Sequence, residues 1–344
     1  MKTKLHILQA FHGDCIVIET YDEYDNSFNI LIDGGPLQTY KTTLVKKLPK
    51  LNNIDLVILT HIDEDHIAGL IEYLSSSFSD DNTFDKIIIN AKNLARITSG
   101  TQITYSHGVL FEKKICEKHK NIKVITNITN KCCINLGLPS GIEIKILSPD
   151  KKGIDYLYEE WPNCQLDDEK NTQVSSNKNT KFAKDYDISF EELAARSEKR
   201  PSSKSDKING SSIAFSIKTK DFSGLFLGDA HAKVVIDGMD IHFSTFPVSF
   251  DFVKLSHHGS KYNISKELLS RIDCNNFIIS TNGGVGRAKH PDRETIAKIV
   301  QNYSDRRVNL IFNYPLCEIE KVTGKLFSKE EYELFNYKCE NILS

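Results

Sequence analysis

The sequence predicts a mixed α+β fold, and three observations carry that reading. Short apolar runs have the two-residue period of strands. Segments with helical spacing fall between them. The alternation runs once before residue 150 and again after about residue 208, on either side of a long polar stretch.

The elements follow in order. Lys4–Ala10 alternates weakly and predicts a first strand, His12-Gly13-Asp14 a turn, and Cys15–Thr20 a second strand. Tyr21–Ser27 is a polar loop. Phe28–Asp33 is a third strand, closed by Gly34-Gly35-Pro36. Tyr40–Leu51 reads as an amphipathic helix with Lys41, Lys46, Lys47 and Lys50 on its solvated side. The apolar run Asp55–Thr60 reads as a buried strand and Ile67–Leu74 as a helix. Phe84–Asn90 is a strand, Val109–Lys120 a helix, and Ile122–Ile125 and Ile142–Leu147 are strands. In the second half, Ile213–Lys218 and Phe222–Leu227 form a hairpin, Phe250–Ser256 and Asn276–Thr281 are strands, and Arg293–Tyr303 is a helix. Residues Arg306–Ser344 add a strand or two and no motif.

The interruption is itself informative. Asp150–Lys170 carries seven acidic and three basic residues, and Arg196–Lys207 five basic and two acidic. One short helix, Ile188–Ala195, is expected between them. Loops of this length are uncommon unless they act as lids, bind ligands or lack structure. Residues 150–208 are therefore an expected insertion near the site mouth, within a single domain spanning 1–344. It is either a surface excursion or a lid whose Lys199, Arg200, Lys204 and Lys207 contact phosphates.

The chemistry concentrates in Leu59-Thr60-His61-Ile62-Asp63-Glu64-Asp65-His66-Ile67-Ala68-Gly69. This stretch lies where a buried strand turns into a helix. His61 and Asp63 are two apart and project to the same side of an extended segment. Asp65 and His66 are adjacent at a helix start and can turn toward a second point nearby. Imidazole and carboxylate suit Zn²⁺, Mn²⁺ or iron, and two-metal sites hydrolyse phosphate and acyl bonds. The residues alone point to a metal site and no further.

The stretch resembles the metallo-β-lactamase superfamily signature His-x-His-x-Asp-His, with Asp63 in the second histidine position. Leu31-Ile32-Asp33-Gly34-Gly35, Leu225-Phe226-Leu227-Gly228-Asp229 and Leu255-Ser256-His257-His258-Gly259-Ser260 follow the family's order. The last of these, with Gly13-Asp14 and His290-Pro291, is similar to the ComEC-like branch, the hydrolase domain of DNA-uptake channel proteins. The resemblance spans about residues 4–300. It implies a four-layer αββα sandwich with the site at one edge of two packed sheets.

It also implies roles. His61, Asp63, Asp65, His66, Asp229 and one or both of His257 and His258 would hold two divalent ions, Zn²⁺ or Mn²⁺, with Asp229 shared. Asp33 would support the ligands from behind, and Asp14 would hydrogen-bond backbone nearby. Asp65 and Asp229 would orient the attacking water, and His231, His257, His258 or His290 would protonate the leaving oxygen. Ser260 and Lys261 could meet a phosphate. The sequence departs from the family where a third-motif histidine is common. That position reads as Ser148, with His107 and His119 as candidate substitutes. With Asp63, this strips nitrogen from the first metal position, so either its affinity is weaker or its ion is an oxygen-preferring one such as Mn²⁺.

Composition sets the outer bounds. The chain has 344 residues, 40% hydrophobic and 26% charged, with a formal net charge of −2. No global basic field recruits nucleic acid, which counts against a DNA-coating protein but not against a nuclease with a local basic groove. Eight cysteines (15, 116, 132, 133, 164, 274, 317 and 339) include no Cys-x-x-Cys pair. Free thiols in a reducing, cytoplasmic compartment are expected. Neither a secretory leader nor a run of about 20 apolar residues is present, so no membrane span is expected.

Three functions compete at this level. The first is a metal-dependent nuclease or phosphodiesterase acting on DNA. The second is a hydrolase of small phosphodiesters or esters. The third is a binding module with a degenerate metal site that works with a partner protein.

Overall fold

The structure is a computed structural model that describes residues 2–51, 53–81, 84–92, 107–118, 121–132, 135–160, 181–197, 204–285 and 288–343. Cys133, Cys164, His119, Lys199 and Arg200 lie outside these ranges.

Two seven-stranded sheets pack face to face. The first contains β1 (Lys4–Ile7), β2 (Ile16–Tyr21), β3 (Ser27–Ile32), β4 (Ile54–Ile58), β5 (Phe84–Ile88) and β6 (Lys123–Ile125). The second contains β7 (Glu143–Ser148), β8 (Ala214–Lys218), β9 (Ser223–Phe226), β10 (Phe252–Lys254), β11 (Asn276–Ile279), β12 (Asn309–Phe312) and β13 (Asn336–Cys339), in the reverse order across the sheet. A last strand, β14 (Ile342–Leu343), returns to the first sheet and pairs antiparallel with β1. Strands β3 to β6 run parallel, as do β9 to β13, and antiparallel pairs flank both sets.

The strand alternation explains the layers. Ile16, Ile18, Ile30, Ile32, Leu56 and Ile58 point inward and meet Ile213, Phe215, Ile217, Phe226, Ile278 and Ile311 of the facing sheet. Their neighbours Val17, Leu31, Val57 and Ile87 point outward against α1 (Glu64–Ser75) and α2 (His107–Lys118). On the other side, Leu225, Val253, Phe277 and Leu310 pack against α6 (Ala232–His242) and α7 (Arg293–Asn302). The result is helix, sheet, sheet, helix: the metallo-β-lactamase fold.

The 150–208 stretch holds more helix than expected. Before α6, the chain forms α3 (Lys151–Glu160), α4 (Phe190–Ala195) and α5 (Lys204–Asn209). Charged neighbours hid the helical spacing of Ile154, Leu157 and Tyr158. The Asp150 carboxylate accepts the Gly153 N–H at 2.9 Å and starts α3. Ser189 caps α4, its Oγ accepting the Glu192 N–H at 3.2 Å.

The expected helix Tyr40–Leu51 is instead a broken helical segment, Leu37–Lys50, with a π-type turn at Tyr40–Leu44. Thr42 and Thr43 hydroxyls donate to the carbonyls of Gln38 and Thr39 at 2.8 and 2.9 Å and compete with the regular ladder. Pro49 then tightens the end into a 3₁₀ turn. Lys47 does not face solvent: its side chain is 13% exposed and pairs with Glu19. The C-terminal region is also richer than expected, with three strands and α8 (Leu316–Thr323).

One close approach holds the motif helix against the sheet. Gly34 N–H donates to His66 O at 2.7 Å, and Gly69 N–H to Gly35 O at 2.8 Å. A Cβ on Gly69 would lie 2.0 Å from Gly34 O, so backbone would have to move. Gly69→Ala is expected to destabilise the fold by about 1–3 kcal/mol. Denaturant unfolding checks this, and an unchanged midpoint would show that α1 shifts freely.

Candidate metal centre

Asp33 organises the turn after β4. It follows β3 with a left-handed φ of 55° and is fully buried. Its carboxylate accepts from Thr60 N (2.7 Å), Thr60 Oγ1 (2.8 Å) and His66 Nδ1 (2.7 Å). The Thr60 hydroxyl proton is thereby used, so at 3.0 Å it accepts from His61 Nδ1. His258 Nδ1 donates to Ser280 O at 2.8 Å. In the neutral form of all three histidines the Nδ1 proton is committed, and Nε2 is left with a lone pair.

Those lone pairs converge on two adjoining points. On one side, His61 Nε2 lies 3.8 Å from Asp63 Oδ2 and 3.8 Å from Asp229 Oδ2. His257 Nε2 lies 3.7 Å from that same Asp229 oxygen. On the other side, Asp65 Oδ2 is 3.3 Å from His258 Nε2 and 3.8 Å from His66 Nε2. Asp229 Oδ1 stands 3.5 Å from His66 Nε2. The ligand atoms of His61, His66 and Asp229 lie within 4.8 Å of one another, as do those of Asp65, His66 and His258.

The adjacent histidines diverge because both take left-handed backbone, φ 47° at His257 and 55° at His258. His258 is buried, whereas the His257 side chain is 29% exposed.

The atoms fit divalent metal binding. His61 Nε2, His66 Nε2, His258 Nε2 and Asp229 Oδ1 are buried with no hydrogen-bond partner. Each such group costs about 1–3 kcal/mol if nothing satisfies it, and four beside one another are accounted for by a ligand. An all-nitrogen and oxygen donor set suits Zn²⁺, Mn²⁺ or iron. The charges agree. Burial, then Asp65 and Asp229, push Asp63 up to about 8, although its side chain is still 31% exposed. Burial, then His66, hold His61 down at about 3. Burial opposes a charge on His258, but Asp14 and Asp65 lift it to about 9. Binding of a cation would therefore release protons.

The other expected residues fall in several places. Asp14 is buried beside His258, its Oδ1 3.6 Å from Nδ1. His290 joins the rim, its ring 5.2 Å from that of His257 and its Nδ1 3.5 Å from Asp292 Oδ2. His231 is turned away from the cluster, with Nε2 2.8 Å from Asp206 O, and holds α5 in place. Ser260 is buried and donates its N–H to His257 O. Lys261 leans toward Glu294 (4.0 Å) and the Tyr262 ring. Lys207 lies over the Tyr156 ring. His107 is half-buried beside Glu64, which favours its charged form against burial.

Behind the first position stand Ser212 and Asn209, each against the Nδ1 of a histidine whose Nε2 faces the cluster. Ser148 is buried on β7 opposite Ala214, and its hydroxyl has no hydrogen-bond partner. Ser212 accepts the Asp229 N–H at 2.9 Å and lies 3.5 Å from His61 Nδ1. Asn209 Nδ2 lies 3.3 Å from His257 Nδ1. The sequence signal, Asn209-Gly210-Ser211-Ser212 before a strand, reads only as a turn.

Residues 8–77 match the family model "Metallo-beta-lactamase superfamily". This span carries Asp14, Asp33 and the whole His61–His66 motif, and the two packed sheets have the arrangement of the metallo-β-lactamase fold. Among solved structures, the chain is similar to the metallo-beta-lactamase fold protein YhfI from Bacillus subtilis (12% identity, 100% of both chains, TM-score 0.44). It is similar to Zn²⁺-bound PqqB from Methylobacterium extorquens (11% identity, 99% of both chains, TM-score 0.44). A long-form RNase Z from yeast is matched over 100% of this chain and 48% of its own (11% identity, TM-score 0.41). At these identities and scores the likenesses assign no activity. No curated protein matches the sequence. Among the described residues, no helix is long and apolar enough to cross a membrane.

Proposed function

We propose that this protein is a metal-dependent hydrolase that cleaves phosphodiester bonds, with DNA as its substrate. One observation carries the reading: three buried, unpartnered histidine Nε2 atoms, of His61, His66 and His258, gather with the unpartnered Asp229 Oδ1 between the two sheets. His61, Asp63 and Asp229, joined by His257, would hold one ion. Asp65, His66, His258 and Asp229 would hold the other. Bound there, two such ions lower the pKa of water and stabilise charge on phosphoryl oxygens. Each set offers two imidazole nitrogens and two carboxylates, which suits Zn²⁺ or Mn²⁺.

The chain's own groups do the rest. Asp65 and Asp229 orient the attacking water. His290 stands at the rim beside His257, where it can give a proton to the leaving oxygen. The nucleic-acid reading draws on the ComEC-like pieces, which are neighbours here. Gly259 packs on Pro291, and Asp292 N–H donates to Gly259 O at 3.0 Å. Asp14 faces His258. A partner protein would deliver the DNA. The six cysteines among the described residues are free, which suits a cytoplasmic setting.

The test is cleavage of end-labelled single- and double-stranded DNA and RNA. Metal-stripped protein is reloaded with Mn²⁺, Zn²⁺ or Mg²⁺, beside Asp65→Ala prepared identically. Metal-dependent DNA cleavage that vanishes in the variant is expected. If metal-replete protein spares nucleic acid but hydrolyses bis(p-nitrophenyl) phosphate, the substrate is a small phosphodiester. If it binds no metal tightly, it is a binding module.

A further inference from the structure

A buried ion pair lies directly behind the centre. Lys254, the last residue of β10, places Nζ on Asp14 Oδ2, and the two side chains are 1% and 3% exposed. Lysine is almost never fully buried unless it is paired. Apolar side chains of similar volume would often fill such a space at lower cost. The position of the pair suggests what it is for.

Asp14 sits on the turn between β1 and β2. Its N–H donates to Asp65 O at 3.3 Å. Its free oxygen, Oδ1, is buried without a hydrogen bond and faces His258 Nδ1. The neighbouring Gly13 O accepts from Ser280 Oγ at 3.0 Å, and Ser280 O takes the His258 Nδ1 proton. Asp65 and His258 come from different sheets, and their ligand atoms are 3.3 Å apart. Lys254 thus joins the opening turn of the first sheet to a strand of the second, at the height where two ligands of one ion must meet.

We propose that the Lys254–Asp14 pair is a positioning device for the ion held by Asp65, His66 and His258: it sets the spacing of ligands drawn from the two sheets. The inference rests on the metal reading above. Neither residue is a ligand in it. Lys254 acts through Asp14, and Asp14 acts through the Asp65 backbone and the His258 ring.

The experiment titrates Mn²⁺ or Zn²⁺ alone into the metal-free full chain by calorimetry, with the Co²⁺ absorption spectrum as a second readout. Wild type is expected to bind two ions. Lys254→Met and the near-isosteric Asp14→Asn are each expected to weaken one event about 10–100-fold, the range for partners that orient metal ligands. The weakened event is the one that survives in a His61→Ala background. The charge-balanced double variant Lys254→Met/Asp14→Leu removes the unpaired charge; it is expected to regain the wild-type melting temperature but not the lost affinity. If Lys254→Met does not fold, the double variant carries the test. Folded variants that bind both ions as wild type does, with an unchanged Co²⁺ spectrum, would overturn the proposal. A wild-type chain that binds no ion sinks the metal reading instead, and the two failures are distinguishable.

Discussion

Asp229→Asn is expected to abolish metal-dependent cleavage while leaving the fold in place. Among the described residues, Asp229 is the carboxylate whose two oxygens face different halves of the centre. Oδ1 lies 3.5 Å from His66 Nε2, and Oδ2 lies 3.8 and 3.7 Å from His61 and His257 Nε2. The amide has nearly the same shape, so the backbone contacts with Ser212 Oγ and Asn263 Nδ2 survive. The NH₂ group, however, cannot ligate a cation. Loss of a partner that merely orients a ligand costs about 10–100-fold, so loss of the shared ligand should exceed about 100-fold in kcat/KM. Bound metal should fall from two ions to one or none. Elemental analysis and cleavage kinetics on the same preparation check both. Activity within tenfold of wild type with two ions retained would show that Asp229 is not shared.

The second large effect concerns stability and lies outside the centre. Arg293, at the start of α7, is almost fully buried. Its guanidinium donates to Asp185 O (3.1 Å), Ile188 O (2.9 Å), Leu326 O and both oxygens of Glu331 (2.8 and 2.7 Å). The rings of Tyr186 and Phe190 each lie 5.4 Å from it. One side chain therefore ties the segment before α4 to α7 and to the chain after α8. Arg293→Met leaves the Glu331 carboxylate without its counter-charge and the Ile188 and Leu326 carbonyls without this donor. Removing one partner of a buried pair costs about 3–5 kcal/mol, or a melting-point drop of about 10 °C in a large domain. Arg293→Lys should recover little of this, because an ammonium cannot replace the five-donor fork. A loss below about 1 kcal/mol in denaturant unfolding would refute the account.

What could be read from the sequence was local. The strands Phe28–Asp33 and Ile142–Leu147 declare themselves because alternate residues face different layers. The His61–His66 stretch declares itself because its ligands share one turn. Asp229 and His258 were legible only by place in a motif series, since a Gly-Asp or a His-His in isolation says nothing of its partners. Asn209, Ser212 and Lys254 were not legible as members of the centre. Each acts across a long sequence separation, on His257, Asp229 and Asp14 respectively. The helix Lys151–Glu160 was hidden by its charges, and the break at Tyr40–Leu44 by hydroxyl bonds that no periodicity displays. His231 matched the motif neighbourhood, yet its ring serves α5.

The return of β14 to β1 bears on how the protein is made. Leu5 pairs with Leu343 and His6 with Ile342. While the polypeptide is being translated, the outer backbone groups of β1 lack this partner until Ile342 and Leu343 have left the ribosome. An open strand edge of this kind recruits other chains, and contacts between distant residues form slowly. β14 is short and follows β1 by more than 300 residues, so the nascent chain carries a sticky flank until β14 has emerged. Truncation just before Ile342 would leave that flank exposed for the life of the molecule, with aggregation rather than loss of the metal centre as the first symptom.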